Sequence, residues 1–393
     1  MERIVPLCYS ETEQSVPFRR RQAMTNTAIR PFRVEVAQAK LDDLADRLRR
    51  ALWPSELPGV GDAYGVPGDR VRSLAQHWLE EFDWRAFEAK LNAFPQFVTE
   101  IDGEDIHFLH VRSSRPDATP LVMTHGWPGS VVEYLDVIAP LTEPAADQPA
   151  FHVVVPSLPG FGFSGPTRST GWNRYRTAAA WVELMHRLGY ERYGAVGNDG
   201  GSMVSPEMGR LDPDGVIGVH VTQVFSFPSG DPAEFADLSE ADLAALQHLQ
   251  WFMDNKFSFN QLHSQQPQTL AYAITDSPIG LLAWNAQLFD ENLDAEFVVA
   301  NVALYWLTGT AGSAIRFYYE DAHATEHPTG PTTTPLGLAM FAGDFQSIRR
   351  FADRDHKNIV SWNSYDGAGG HYAAHEATDT LVADIRRFYA QLV

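Results

Sequence analysis

The five residues Gly197-Asn198-Asp199-Gly200-Gly201 constrain this chain more than any other stretch. They follow a short apolar run at 193–196 and precede a helical stretch. Small residues on both sides of a reactive one are what a sharp strand-to-helix turn requires, because flanking side chains would collide with neighbouring backbone. The apex residue of such a turn is usually serine; here it is Asp199. A glycine-rich loop with a helix-capping aspartate has the same local pattern, so the surrounding layout has to decide. Pro206, soon after the turn, works against a regular helix there.

Apolar runs at 121–124, 152–155, 193–196, 216–221, 336–341 and 359–362 read as strands. Helices are predicted at 130–141, 177–188 and 378–392, the first with the capping-box pair Ser130 and Glu133. Short strands interleaved with helices imply a mostly parallel sheet covered on both faces. Residues 97–111 instead alternate about Asp102-Gly103, a pair favoured in a tight hairpin turn.

Ahead of this sheet, 32–36 reads as a first strand and 41–94 as amphipathic helix. Leu41, Leu44, Leu48 and Leu52 share one helix face that ends before Pro54, and Val71, Leu74, Trp78 and Phe82 repeat the geometry. From about Phe225 to Tyr319 there is no buried-strand pattern, only helical segments rich in Phe, Trp, Leu and Gln. An insertion of that kind reads as a cap over the carboxyl ends of the strands, where open α/β sheets bind ligands. The expected division is a leader over 1–30, an N-terminal helical extension over 31–96, a core in two parts (97–224 and 320–393) and a helical cap over 225–319. The leader carries Arg19-Arg20-Arg21 and no apolar signal region, and Met24 is an alternative start.

Charge and composition remove whole classes of function. Thirty Lys+Arg against 50 Asp+Glu give a net charge of −20, which argues against nucleic acid and anionic membrane as partners. No apolar run approaches the ~20 residues of a spanning helix, so no membrane anchor is expected. A lone cysteine, Cys8, allows no intrachain disulfide and no thiolate metal site. The glycine-rich stretches lack a following Lys-Ser/Thr, so no nucleotide, metal or other cofactor is expected. A cytoplasmic protein acting on a small molecule fits best.

Two further segments supply chemistry. Asp344 follows the 336–341 strand, and His371 follows the 359–362 strand through Gly367-Ala368-Gly369-Gly370; the chain order nucleophile, acid, histidine suits this sheet. Asp366 is expected to shape the turn, and His375 to be a surface or packing histidine. In His125-Gly126-Trp127-Pro128-Gly129, Pro128 has no N–H, so the oxyanion donors are expected to be the backbone N–H groups of Trp127 and Gly200. Phe161, in the turn 157–164, is expected at the pocket mouth. A carboxylate attacking an ester or amide would form an anhydride and gain little; attack on a saturated electrophilic carbon gives an ordinary ester. That points to an epoxide or an alkyl halide. His371, oriented by Asp344, would then activate water against the carboxyl carbon of Asp199. An epoxide also needs an acid for its leaving alkoxide, whereas a halide needs N–H donors.

At these residues the chain resembles the microsomal-type epoxide hydrolases of the α/β-hydrolase superfamily, and most of all their soluble actinobacterial members. The resemblance spans roughly 30–393 and rests on His125-Gly126-Trp127-Pro128-Gly129-Ser130, Trp306-Leu307-Thr308-Gly309-Thr310 and Gly369-Gly370-His371-Tyr372-Ala373-Ala374. It implies an α/β-hydrolase fold with Asp199 as nucleophile, His371 as base and Asp344 as its orienting acid. The family protonates the epoxide with two cap tyrosines; one maps onto Tyr318, and the other position falls on Phe259, with His263 nearby replacing a glutamine. Tyr319 is the substitute if Tyr318 faces away. The family's elbow reads Gly-Gly-Asp-Trp-Gly, so Asn198 and Gly200 are departures, and the missing tryptophan is expected to widen the pocket and to remove a halide-binding indole. Phe259, His263, Pro128, Phe161 and Asn198 are accordingly expected around the substrate. The implied activity opens a bulky secondary-metabolite or xenobiotic epoxide to a vicinal diol with water, in a monomer or homodimer. The alternatives are a hydrolase of another electrophile, such as an alkyl halide or lactone, and a non-catalytic binding member of the fold.

Overall fold

A computed structural model describes residues 27–325 and 328–393; the basic triplet, Met24 and Cys8 of the expected leader lie outside the described residues. Nine strands make one sheet: β1 (Arg30–Phe32), β2 (Gln96–Ile101), β3 (Glu104–Val111), β4 (Thr119–Thr124), β5 (Phe151–Pro156), β6 (Tyr193–Gly197), β7 (Val216–Val221), β8 (Leu336–Gly343) and β9 (Ile359–Gly370). Their spatial order is β1-β2-β3-β5-β4-β6-β7-β8-β9. The β1-β2-β3-β5 pairings are antiparallel and all those from β5 to β9 are parallel. Every residue of β5 and β6 is buried, as expected of strands covered on both faces and built from continuous apolar runs. The β2–β3 hairpin turns on Asp102 (φ 49°) and Gly103 (φ 84°), the two positive dihedrals of a type I′ turn.

Helices Arg174–Arg187 and Gly200–Leu211 pack together, as do Leu135–Thr142 and Thr378–Tyr389, and helices cover both faces of the sheet. Several local expectations are corrected. The 32–36 strand stops at Phe32, because the Val34 and Val36 N–H groups are taken by Asn92 Oδ1 (2.9 Å) and Glu88 Oε1 (2.7 Å) instead of a neighbouring strand. The first helix, Gln38–Arg49, ends before Leu52, which is 94% exposed on the way to Pro54. Ser130 caps a 3-10 turn, Val131–Tyr134, by accepting from Val132 N–H; Glu133 does not complete a capping box but turns inward to Asn198. β9 runs on to Gly370, so Asp366 lies on a strand and not in a turn.

Between β7 and β8 lies a run of helices, including Glu240–Asn255, Ser258–Gln265, Pro267–Asp276, Pro278–Ala286, Ala295–Thr308 and Arg316–Ala322. Ala295–Thr308 is buried on nearly every side, whereas Glu240–Asn255 buries none of its residues. The N-terminal helices Gln38–Arg49 and Gly68–Glu80 pack on this layer. Lys40 Nζ donates to the Leu307 carbonyl (3.0 Å), Arg47 pairs with Asp276 (3.2 Å) and Arg70 donates to the Phe289 carbonyl (2.5 Å). Among the described residues no single helix is long and apolar enough to cross a membrane.

Candidate active site

β6 ends at Gly197, and the chain reverses into helix Gly200–Leu211 through Asp199, held at φ 51° and ψ −117°. A non-glycine residue there is strained, and such strain persists only where the surroundings fix it. The glycines explain how the turn closes. A methyl on Gly197 would overlap the Gly201 carbonyl, and one on Gly201 would overlap the Thr124 carbonyl at the end of β4. Gly200 differs: a methyl there would sit at an ordinary 3.5 Å from Gly126 Cα and 3.8 Å from the Phe317 ring. Its bare Cα therefore relieves no clash, and a methyl would pack there in ordinary contact. Helix Gly200–Leu211 continues through Pro206.

The Asp199 carboxylate is gripped on one side and free on the other. Trp127 N–H donates to Oδ1 at 3.0 Å, and the Gly200 N–H also points at the carboxylate. Burial pushes the Asp199 pKa up, opposed by His371 and these two donors. The other oxygen, Oδ2, is 3.9 Å from His371 Nε2, and the opposite ring nitrogen, Nδ1, is 2.9 Å from Asp344 Oδ1. Burial works against the His371 cation, but Asp344 and Asp199 outweigh it and push its pKa up to about 10. Burial likewise opposes ionising Asp344, yet His371 and the N–H of Gln223 hold it below the usual carboxylate value. His375, four residues on, faces elsewhere: it bridges Asp136 (2.7 Å) and Asp294 (2.8 Å) and stacks on Phe297.

In front of this group opens a cavity of about 730 Å³. Asp199, Gly200, His371 and Asp344 form its floor, and Trp127, Pro128, Phe161, Phe259 and Tyr318 line it. Phe161 is 1% exposed and lies in the wall, deeper than the mouth where it was expected. Tyr318 packs edge-on to Trp127 and Phe259, and burial with the nearby Asp199 charge raises its phenol well above the ordinary value, so it stays a proton donor. Tyr319 turns away and stacks on His323 at the surface.

Two expected pocket residues do not reach the cavity. His263 is fully buried behind Tyr318 and Trp127, its Nε2 accepting from the Trp284 indole at 2.9 Å. Burial lowers its pKa to about 3, so it is a neutral packing group in place of a wall residue. Asn198 points into the core, where its side chain meets Thr222, Gln223 and Glu133. A side chain one residue from the apex of the turn faces away from Asp199, and its polar partners Thr222, Gln223 and Glu133 draw it there.

Sequence reasoning missed Gln223 and the inward role of Glu133. Gln223, just beyond β7, accepts from Asp199 N–H (2.8 Å) and Ser202 Oγ (2.8 Å) and donates to Asn198 Oδ1 (2.8 Å) and Asp344 Oδ2. A polar pair, Thr222-Gln223, just after a buried apolar strand at the end where Asp199 sits was the available signal. Glu133 is 1% exposed, accepts from Asn198 Nδ2 and is pushed by burial to a pKa of about 8.

A mostly parallel sheet with an acid-histidine pair facing a strained aspartate at a strand-to-helix turn is the layout of an α/β hydrolase, and residues 119–270 match the family described as alpha/beta hydrolase fold. Residues 29–134 match the family described as Epoxide hydrolase N terminus. A chain of Stigmatella aurantiaca (strain DW4/3-1), provisionally named an epoxide hydrolase, is 38% identical, the match covering 93% of this chain and 85% of the relative. Epoxide hydrolase 1 of Sus scrofa is 31% identical over 96% of this chain and 92% of its own. The structure of Aspergillus niger epoxide hydrolase superposes with a TM-score of 0.83 at 32% identity, covering 94% of this chain and 98% of that one. The chain belongs to the epoxide hydrolase family.

Proposed function

We propose that this enzyme opens a bulky, largely apolar epoxide to a vicinal diol in two steps. Asp199 Oδ2 attacks one epoxide carbon; the C–O bond breaks as the Tyr318 hydroxyl protonates the departing alkoxide. The product of this step is an ester, with Oδ1 as its carbonyl oxygen. Water then loses a proton to His371 Nε2 and attacks the Asp199 carboxyl carbon. The tetrahedral intermediate collapses with cleavage of the Cγ–Oδ2 bond, and His371 returns its proton to the leaving alkoxide of the diol. The regenerated carboxylic acid gives its proton back to Tyr318 through solvent, so the sum is epoxide plus water to diol.

The observation that carries this reading is the direction of the oxyanion donors. The Trp127 N–H donates to the nucleophile's own Oδ1, the atom on which negative charge develops when its ester is hydrolysed, and the Gly200 N–H points at the same carboxylate. Each such donor is worth roughly 10²–10³ in rate. Ester formation also prepares the base. His371 is held cationic partly by Asp199, and turning that carboxylate into a neutral ester removes one of the acidic groups that raise its pKa. The substrate class follows from the walls: Phe225, Phe257, Phe259, Phe289, Phe317 and Phe345 surround the cavity. Aromatic and polycyclic epoxides suit such a lining.

Intact-mass and peptide mass spectrometry of a His371→Gln variant, incubated with aryl and alkyl epoxides, tests the reading. A substrate-sized adduct on the peptide carrying Asp199 is expected. A folded variant that binds these epoxides but forms no adduct would exclude the ester intermediate.

A further inference from the structure

We infer that Gln223, oriented by Asn198, is a positioning residue that ties the nucleophile's turn to Asp344 and on which ester hydrolysis depends far more than ester formation. The inference rests on the two-step reading above.

The side-chain amide of Gln223 is fully buried and its four hydrogen bonds have fixed polarity. Asp199 N–H can only donate, so it must meet the oxygen end. Asp344, ionised against His371, can only accept, so it must meet the nitrogen end. The amide therefore has a single orientation. Ser202 Oγ fills the second site on its oxygen, and Asn198 Oδ1 takes its second N–H. Asn198 is fixed in turn: its oxygen also accepts from Thr222 Oγ1 (2.7 Å) and its nitrogen donates to Glu133 Oε1 (3.3 Å). The departure of this elbow from the family's glycine thus has a structural purpose, because glycine at 198 would leave a buried Gln223 N–H without an acceptor.

The bridge acts on both ends of the reaction centre. At one end it secures the backbone of Asp199 in its positive-φ conformation. At the other it shares the charge on Asp344, so that carboxylate pulls less strongly on the Nδ1–H of His371. His371 abstracts no proton while the ester forms, but must be neutral for the ester to hydrolyse. Loss of the Gln223 N–H leaves Asp344 a stronger partner for the imidazolium. Hydrolysis should then need a higher pH, and ester formation should change little.

Single-turnover kinetics of Gln223→Met and Gln223→Leu, across pH and with an epoxide that labels Asp199 in His371→Gln, test this. Ester hydrolysis is expected to slow roughly 10- to 100-fold, the range for one lost charge-assisted hydrogen bond. Ester formation should stay within about threefold, and the acid limb of the hydrolysis profile should move to higher pH. The leucine variant removes the same N–H with a differently shaped apolar side chain, so it carries the test if the methionine variant fails to fold. Parallel loss in both steps with an unmoved acid limb would reduce Gln223 to a structural role and overturn the inference. Failure of His371→Gln to form any adduct would instead overturn the two-step reading beneath it.

Discussion

The rings of Phe259 and Tyr318 meet edge to face with their centres 5.9 Å apart, and both line the cavity above Asp199, but only Tyr318 carries a hydroxyl. In the proposed mechanism, protonation of the epoxide oxygen therefore depends on one phenol. Replacing it, Tyr318→Phe, is expected to slow ester formation by roughly 10²–10⁴, the range of a general acid, while hydrolysis of a preformed ester stays near its normal rate. The reverse change, Phe259→Tyr, supplies a second donor and is expected to speed ester formation up to about tenfold. Stopped-flow measurement of the two steps separates these effects; equal slowing of both steps in Tyr318→Phe would remove that residue from the acid's role.

Gly126 stands where a methyl would overlap both Asp199 Oδ1 and the Gly200 nitrogen. Gly126→Ala should therefore drive the carboxylate out of its two N–H donors. A loss of at least about 10² in turnover is expected. Turnover near that of the parent would mean that the donors do not serve the reaction.

Glu133 makes stability depend on pH. Burial raises its pKa in the folded protein to about 8, so between the ordinary carboxyl value and pH 8 the folded chain keeps a proton that the unfolded chain has released. Stability contributed by the neutral form is complete at acidic pH and is lost as pH rises through that window. Glu133→Gln has no such proton to lose. Thermal melts from pH 5 to pH 9 should show the variant gaining on the parent up to about pH 8 and then holding a constant margin over it; a constant difference across the whole range would place the ionisation elsewhere.

Asp199, Asp344 and His371 could be picked out in advance because each follows a strand end, and strand ends were marked by apolar runs bounded by glycine and aspartate. The structure brings these three together. Asn198 and His263 show where such reasoning stops. Which way a side chain faces depends on partners far along the chain: Asn198 is drawn inward by Glu133, 65 positions before it, and by Gln223, 25 positions after it. His263 is sealed by Trp284, 21 residues on, and by Trp127 from the opposite half of the molecule. Helix ends were misjudged for a similar reason. Leu52 continues the apolar stripe of the first helix, but Pro54 disfavours helix just before it, and that local conflict outweighs the periodicity.

Helix Glu240–Asn255 buries none of its residues, yet it lends Ala245, His248, Leu249, Trp251 and Phe252 to the cavity. Substitutions away from a buried core usually alter stability little. Mutation can therefore rewrite this wall, and with it the molecules admitted, without the protein first having to survive a damaged interior. Ala295–Thr308, packed on almost all sides, has no such freedom. Divergence toward new substrates within this scaffold should accumulate on the first helix and spare the second.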